Sequence, residues 1–216
     1  MLISHKNKFI TIDIPKTATR SLRETFVPQN IIDIIGEPNL NADFYQHGTA
    51  QQCRNSLQKL NKNFSDYFSF VIVRNPWDRY YSFFKYLKEY AEKYKNKDAN
   101  ITWNTPNINQ GKMCEELFKN RTDEKILKNI IIGNNCQSDY YTDKDNKIMV
   151  SHIAEFENLN EEFKFLCDKV NVSHSPLLHS NKSSTKTGYA NIYTKKTIEL
   201  VAEKEKSLIE LKGYEY

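Results

Sequence analysis

The sequence predicts an α/β protein in which helices flank a largely parallel sheet. Apolar segments rich in β-branched and aromatic residues alternate with segments whose apolar residues recur at helical spacing. Residues 68–73, Phe-Ser-Phe-Val-Ile-Val, are typical of a strand covered on both faces. Because 216 residues without an internal repeat fit one domain, we predict a single domain over residues 1–216.

Each predicted element of the first half has a local signal. Residues 9–14 form an apolar, β-branched strand that stops at a proline, and residues 19–26 form a short helix after it. Residues 30–35 form a second strand that ends at a glycine, and residues 49–60 carry apolar side chains at helical spacing. After the apolar strand described above, Pro76 suits the first turn of a helix with one long apolar stripe.

Residues 95–112 interrupt this alternation of strands and helices. Lys, Asn, Asp, Thr and Pro dominate there, and the segment is too long for an ordinary connection. We predict a flexible loop or lid, with a plain surface insertion as the alternative. The remaining predicted elements are helices at 113–118, 124–132, 158–170 and 194–211, and a hairpin that joins 140–142 to 147–150.

The composition is that of a globular protein with a mildly basic surface. Hydrophobic residues make up 39% of the chain, and 31 basic residues against 27 acidic ones give a net charge of +4. This excess suits an anionic ligand but is too small to indicate nucleic-acid binding. We expect no membrane span, since no apolar run approaches the roughly 18–20 residues that a spanning helix needs.

The N-terminus and the cysteines bear on the expected location of the protein and on the state of its thiols. The first residues lead directly into a strand and leave no room for a signal peptide, so we expect a cytoplasmic protein. The four cysteines are scattered, with no Cys-x-x-Cys pair and no histidine at ligand spacing. We therefore predict reduced, mostly buried thiols and no metal site.

The segment between the first strand and the first helix has the composition of an anion-binding site. Lys16 and Arg20 supply positive charge, and Thr17, Thr19 and Ser21 supply hydroxyl groups. A helix start adds backbone N–H groups that lack intrahelical partners, and the positive end of the helix dipole. A polar helix cap that follows a proline-terminated strand is the alternative interpretation.

A second anion-binding element is predicted where the strand at 68–73 ends. Arg74 follows that strand, and a buried arginine is costly to desolvate unless an anion meets it. Open α/β sheets also bind ligands at the carboxyl ends of their strands. Ser82 lies two turns into the next helix, on the side that can face such a ligand. The alternatives are an Arg74 paired with an acid such as Asp78, and a Ser82 with no ligand role.

Both segments resemble the sulfotransferases that use 3′-phosphoadenosine 5′-phosphosulfate (PAPS), and most closely the carbohydrate-sulfating branch. Pro15-Lys16-Thr17-Ala18-Thr19 and Ser21 are similar to the donor-binding loop of that branch, whereas Arg20 stands where the branch often has Thr. Arg74 and Ser82, eight residues apart, match the pair that holds the 3′-phosphate of PAPS in this family. The resemblance extends over nearly the whole chain outside 95–112, through 135–140, 154–159, 179–184 and 211–214.

The resemblance implies a P-loop-NTPase-like three-layer fold with a central, mainly parallel sheet. It implies a sulfotransferase that moves the sulfonyl group of PAPS to an acceptor hydroxyl, in particular that of a saccharide, without a metal. Lys16 would neutralise charge on the bridging oxygen of the donor, and would thus be catalytic. The residues implied in donor binding are Lys16, Thr17, Ala18, Thr19, Arg20, Ser21, Arg74 and Ser82. Lys182 and Ser183 lie in a polar, basic loop that could close over the nucleotide, with a solvated loop before the last helix as the alternative.

His47 is the predicted general base. Carbohydrate sulfotransferases have a His at a comparable point between the two phosphate-binding elements, and Gly48 next to it permits close approach of another molecule. The pKa of His suits proton abstraction near neutral pH. A helix-capping or packing role is the alternative. His152, His174 and His179 are weaker candidates, because none lies between the phosphate elements in the sequence.

Two other functions stay open on the sequence. A P-loop-like nucleotide kinase shares the strand, loop and helix, but the loop here contains no glycine of the Gly-x-x-x-x-Gly-Lys-Ser/Thr pattern. A catalytically inactive module that binds a nucleotide or a glycan is the second alternative. Asp13 and Arg20, which depart from the family pattern, keep this alternative in consideration.

Overall fold

The sheet lies in the first of two units that the structure distinguishes. The computed structural model describes residues 1–39, 42–94, 118, 119, 121–173, 189 and 191–216. The first unit draws on residues 1–75, 135–182 and 207–215, and the second on residues 76–134, 183–206 and 216. The strands, all in the first unit, are β1 Leu2–Ser4, β2 Phe9–Ile12, β3 Ile34–Ile35, β4 Phe68–Val73 and β5 His152–Glu155.

The five strands form an open sheet in the order β3-β1-β2-β4-β5. The pairs β2–β4 and β4–β5 are parallel, whereas β1 pairs antiparallel with both β2 and β3. The sheet is therefore mixed, and its parallel part is limited to β2, β4 and β5. The connection from β1 to β2 is too short for a parallel crossover, which needs about a dozen residues or more.

Helices cover both faces of this sheet. The α-helices of the described chain are α1 Thr19–Phe26, α2 Ala50–Lys59, α3 Pro76–Tyr94, α4 Asp123–Gly133, α5 Leu159–Lys169, α6 Lys195–Lys204 and α7 Lys206–Lys212. On one face, Phe9 and Phe70 pack with side chains of α1 and α5. On the other face, Ile10 and Ile12 pack with α2 and with Leu208 of α7. The alternation of side chains along β2 thus produces three layers within the first unit.

The second unit is helical in its described part. Trp77 of α3 donates its indole N–H to the carbonyl of Ile198 in α6 at 3.2 Å, and its own carbonyl accepts from the Tyr193 hydroxyl at 2.8 Å. Arg79 of α3 forms a fully buried ion pair with Glu205 at 3.1 Å. Among the described residues, no helix has the length and apolar character that crossing a membrane requires.

Several predicted elements agree closely with the structure. The helix at 19–26 and the strand at 68–73 have the predicted bounds, and α2, α4 and α5 agree to within about two residues. A bridge between Thr142 and Ile148 supports the predicted hairpin. The loop at 95–112 and nearly all of the helix at 113–118 lie outside the described residues.

Other predicted elements were wrong in extent. The first strand ends at Ile12, and the strand predicted at 30–35 is confined to Ile34–Ile35. The predicted helix at 194–211 is two helices, because the chain leaves the helical conformation at Glu205. The strands β1 and β5 were not predicted. The prediction of a mainly parallel sheet holds only for the three strands β2, β4 and β5.

Candidate active site

A tight loop connects β2 to α1. Lys16 and Ala18 adopt left-handed backbone conformations in it, with φ values of 73° and 66°. Such conformations are uncommon for residues other than glycine and cost on the order of 1–2 kcal/mol each. The hydroxyls of Thr17 and Thr19 stabilise the loop by donating to one carbonyl oxygen, that of Ile14, at 2.9 and 3.0 Å.

The loop determines which groups the start of α1 can offer an anion. The first helical hydrogen bond runs from the Leu22 N–H to the Ala18 carbonyl at 3.1 Å. No acidic residue lies in the first turn of α1, so the positive end of its dipole is not neutralised by a carboxylate of that turn. Each Thr hydroxyl has one proton, and in this loop both protons go to Ile14. The hydroxyls of Thr17 and Thr19 therefore do not donate to an anion in this conformation, and backbone N–H groups at the start of α1 are the main-chain donors that suit one.

Arg20 lies along the surface of α1. Its side chain is 73% exposed, and its Nε donates to Oε1 of Glu24, one turn further on, at 2.7 Å. An exposed pair at this spacing contributes little to stability. Ser21, the next residue, is half-buried. Arg20, one of the two residues that depart from the family pattern, thus pairs with its own helix in this structure.

Arg74 follows β4 directly and is 4% exposed. Its Nη1 donates to the backbone carbonyl of Lys16 at 3.1 Å, and its guanidinium carbon lies 4.2 Å from the centre of the Phe156 ring. The amide of Gln137 exchanges hydrogen bonds with the Arg74 backbone N–H and C=O, at 2.9 and 2.8 Å. The structure therefore brings the loop before α1 and the end of β4 together.

His47, in the turn before α2, is attached to the end of β2. Its Nδ1 lies 2.8 Å from the carbonyl oxygen of Asp13. Because a carbonyl only accepts, Nδ1 carries the proton and Nε2 is the basic nitrogen of the neutral ring. Burial lowers the pKa of His47 and outweighs the hydrogen bond to Asp13, which raises it. A neutral ring with a basic Nε2 is the form that a general base requires.

The Asp13 carboxylate has a structural role behind His47. It is buried and accepts hydrogen bonds from the Thr11 hydroxyl at 2.8 Å and from the Met1 amino group at 2.7 Å. Nη2 of Arg23 in α1 lies 3.4 Å from the same carboxylate. These contacts fix the backbone of Asp13, whose carbonyl oxygen in turn holds the ring of His47.

The other described histidines have partners elsewhere in the first unit. Nε2 of His152 lies 2.7 Å from Oε2 of Glu162, and Nδ1 of His5 lies 2.8 Å from the Tyr67 hydroxyl. Neither contact involves the loop before α1. Of the three histidines that the structure describes, His47 is the one hydrogen-bonded to the segment that joins β2 to α1, through the Asp13 carbonyl.

Ser82, Lys182 and Ser183 complete the predicted site residues. Ser82 lies about two turns into α3, in the second unit, and is half-buried. Its assignment to a phosphate stays a prediction. Outside the described residues lie Lys182, Ser183, His174 and His179. Within the described ranges there is no group of three or more His, Cys, Asp or Glu residues that could hold a metal ion.

Sequence reasoning missed the residues that fix Arg74. Gln137 and Phe156 stand in segments that contribute to the resemblance, but neither residue type marks a site. A glutamine amide or a phenylalanine ring carries no pattern that predicts which backbone or cation it will contact. The signal that could have drawn attention to Gln137 is its place in a short polar segment, residues 134–138, directly after the predicted helix at 124–132.

The fold and the site together suit an α/β protein that binds phosphate-like anions at the carboxyl end of its parallel strands. Comparison with protein families is more specific. The family model described as the sulfotransferase family matches residues 1–212. The chain therefore belongs to the sulfotransferase family. No curated protein matches it significantly, and no solved structure does either.

Proposed function

We propose that this protein is a PAPS-dependent sulfotransferase that transfers a sulfonyl group to a carbohydrate hydroxyl. Membership in the sulfotransferase family supports sulfonyl transfer in general. The observation that carries the proposal is the 3.1 Å hydrogen bond from Arg74 Nη1 to the Lys16 carbonyl. It joins the two sequence elements that would each bind one phosphate of the donor. The three layers of the first unit support a P-loop-NTPase-like architecture.

The described residues fit a donor with two separate phosphate groups. Arg74 is a buried cation at the end of β4, suited to the 3′-phosphate. A role of Ser82 at the same phosphate rests on the sequence resemblance alone. The backbone N–H groups from Thr17 to Ser21, at the start of α1, suit the 5′-phosphate. When bound, PAPS supplies an activated sulfonyl group, which passes to the acceptor oxygen by in-line displacement. The proposal assigns no step to a metal ion.

His47 would accept the proton released during transfer, and Lys16 would stabilise the negative charge that develops on the leaving group. Nε2 of His47 would take the proton of the acceptor hydroxyl as that oxygen attacks sulfur. The Asp13 carbonyl would keep the ring in the required tautomer, through the 2.8 Å contact to Nδ1. Lys16 would neutralise the charge left on the bridging oxygen when the bond from sulfur to that oxygen breaks. Positioning and electrostatics then account for most of the catalysis, as in phosphoryl transfer.

The saccharide acceptor and the cytoplasmic location also remain proposals. The acceptor class rests on the likeness of residues 15–19 to the carbohydrate-sulfating branch. A panel of oligosaccharides, phenols and sterols, each offered with PAPS, tests it directly. Transfer to phenols or sterols without transfer to any sugar would contradict the carbohydrate acceptor and leave sulfonyl transfer intact.

The experiment that tests the function is PAPS-dependent sulfation by wild-type protein and by Lys16→Ala and His47→Ala. We expect each variant to lose about 100-fold or more in rate, because each removes a group that acts in the transition state. Lys6→Ala, at an exposed lysine, is the matched control and should retain activity. Wild-type rates in both site variants would contradict the assignments. Tight binding of 3′,5′-ADP without turnover of any acceptor would instead indicate an inactive binding module.

A further inference from the structure

We propose that Gln137 is a positioning residue for the 3′-phosphate of the donor, and that it acts by holding the backbone of Arg74. The inference rests on the proposed function, since it takes Arg74 as the ligand of that phosphate. Gln137 itself would not contact the nucleotide. Its role would be to define where the cation of Arg74 stands.

The sheet ends at the point where Gln137 acts. The parallel ladder between β4 and β5 stops at the pair Val73 and Glu155, and Arg74 is the next residue of the chain. Its N–H donates to Oε1 of Gln137 at 2.9 Å, and Nε2 of Gln137 donates to its carbonyl at 2.8 Å. A side-chain amide offers one acceptor and a donor, as a peptide group does. Gln137 therefore replaces a neighbouring strand for one residue beyond β4.

Burial makes this replacement necessary. Gln137 is 0% exposed and Arg74 is 4% exposed, so water cannot readily supply the two hydrogen bonds. Among unbranched side chains of similar length at neutral pH, only an amide can donate and accept at the same time. Glutamate would lose the donor, and methionine would lose both groups while filling a similar volume.

The backbone of Arg74 sets the direction of its guanidinium group. Two contacts hold the guanidinium group itself: the hydrogen bond to the Lys16 carbonyl and the stacking on the Phe156 ring. Both require the Cα–Cβ bond of Arg74 to point correctly, and this direction follows from the backbone that Gln137 fixes. Losing the amide should therefore weaken contacts to the 3′-phosphate more than contacts to the rest of the nucleotide.

The test compares two nucleotides that differ only in this phosphate. Dissociation constants for 3′,5′-ADP and 5′-AMP are measured by calorimetry for wild type, Gln137→Met and Gln58→Met, the last being the same change at an exposed glutamine. We expect Gln137→Met to weaken 3′,5′-ADP about tenfold or more and 5′-AMP by less than about threefold. Gln58→Met should change neither. Equal losses for both nucleotides, or no loss, would overturn the inference.

A double-mutant cycle separates positioning from a general structural effect. If Gln137 acts only through Arg74, Gln137→Met should change 3′,5′-ADP binding by less than about twofold in an Arg74→Met background. A full effect in that background would overturn the inference. If Gln137→Met does not fold by circular dichroism, Gln137→Asn, a neutral amide one methylene shorter that cannot hold both the N–H and the carbonyl of Arg74 in the same way, is measured in its place with the same expectations.

The same data distinguish this inference from the proposed function. A wild-type protein without preference for 3′,5′-ADP over 5′-AMP would refute the PAPS donor, and the inference with it. A clear wild-type preference that persists in Gln137→Met would refute only the role of Gln137.

Discussion

At the scale of single residues, the partner of His47 decides its chemistry. A carboxylate beside Nδ1 would favour the charged ring and raise its pKa, whereas the Asp13 carbonyl selects the tautomer with a smaller effect on charge. Burial dominates, and the pKa of His47 is lowered. The ring is therefore neutral at neutral pH and ready to accept a proton at Nε2. The Asp13 carboxylate is directed to Thr11 and Met1 instead.

The first prediction concerns the pH dependence of transfer. As the base must be neutral, kcat/KM should rise with pH through the pKa of His47 and level off above it, with the midpoint below about 6.5. His47→Asn keeps an N–H near the position of Nδ1 but has no basic nitrogen. It should bind 3′,5′-ADP like wild type and lose about 10²–10⁴-fold in kcat. A wild-type pH profile in this variant would refute the base assignment.

The same lowered pKa predicts a pH dependence of stability. The unfolded chain, with an ordinary His pKa, binds a proton more readily than the folded protein does. The free energy of unfolding should therefore fall as the pH drops below about 6.5. Above that pH, His47 is neutral in both states and should cause no further change. Urea unfolding of wild type and His47→Asn between pH 5 and pH 8 measures this. The fall should be steeper in wild type; parallel curves would contradict a lowered pKa.

The left-handed conformation of Ala18 gives a prediction about the donor loop. Glycine adopts φ near 66° without strain, but it also has more conformational freedom to lose on folding. Ala18→Gly should therefore leave the free energy of unfolding unchanged or raise it by up to about 1 kcal/mol. Ala202→Gly, inside α6, is the control and should lower it by about 0.5–1 kcal/mol. Equal destabilisation by both changes would contradict the strain in the loop.

Residue types predicted the charged part of the site but not its supporting contacts. Lys16, Arg74 and His47 could be named because few roles suit such side chains at the end of a buried strand or between phosphate elements. The hydroxyls of Thr17 and Thr19 were expected to face a ligand, yet they donate to the Ile14 carbonyl. That carbonyl becomes available only through the fold of the loop, which no local pattern in the sequence indicates.

At the scale of elements, strands were predictable where their own residues suffice. All six residues of β4 suit a strand, and nearly all are buried, so its bounds could be predicted. The strand β5 begins with His152 and ends with Glu155, and three of its four residues are only partly buried. It is a strand because it pairs with β4, from Phe70 opposite His152 onward. Pairing of this kind is long-range and leaves no local signal.

The break between α6 and α7 has a physical cause that the sequence pattern hides. No proline or glycine interrupts residues 195–212, so periodicity alone predicts one helix. The break occurs at Glu205, whose buried carboxylate accepts from Arg79 at 3.1 Å and from the Tyr80 hydroxyl at 3.0 Å. A glutamate looks like a surface residue in a helix, and only its partners on α3 identify it as part of the interior.

This buried pair predicts a large stability effect within the second unit. Arg79→Met should lower the free energy of unfolding by about 3–5 kcal/mol, because it leaves the Glu205 carboxylate buried without its cation. The double change Arg79→Met with Glu205→Leu should recover much of that loss. Urea unfolding followed by circular dichroism measures both. Lys59→Met, which removes an exposed ion pair to Asp43, is the control and should have little effect. A similar loss in the control would contradict the role of burial.

At the scale of the whole molecule, the two units cannot be separated by one cut of the chain. The chain passes between them after residues 75, 134, 182, 206 and 215. The family match over 1–212 draws on residues of both units, which is compatible with the single domain predicted from the sequence. That prediction remains untested. The sequence resemblance already indicated that the family match would cover most of the chain, because its segments are spread from residue 15 to residue 214.

A ligand that binds the folded chain should stabilise the molecule as a whole. At a concentration of 100 times its Kd, 3′,5′-ADP should add about 2.7 kcal/mol and raise Tm by roughly 5–10 °C, without magnesium. The rise for 5′-AMP at the same concentration should be smaller, because Arg74 then has no 3′-phosphate to bind. Arg74→Met should abolish this difference, whereas Arg54→Met, at an exposed arginine, should preserve it. A larger rise with ATP and Mg²⁺ than with 3′,5′-ADP would favour the kinase alternative, since a kinase recognises the triphosphate and its metal rather than a 3′-phosphate.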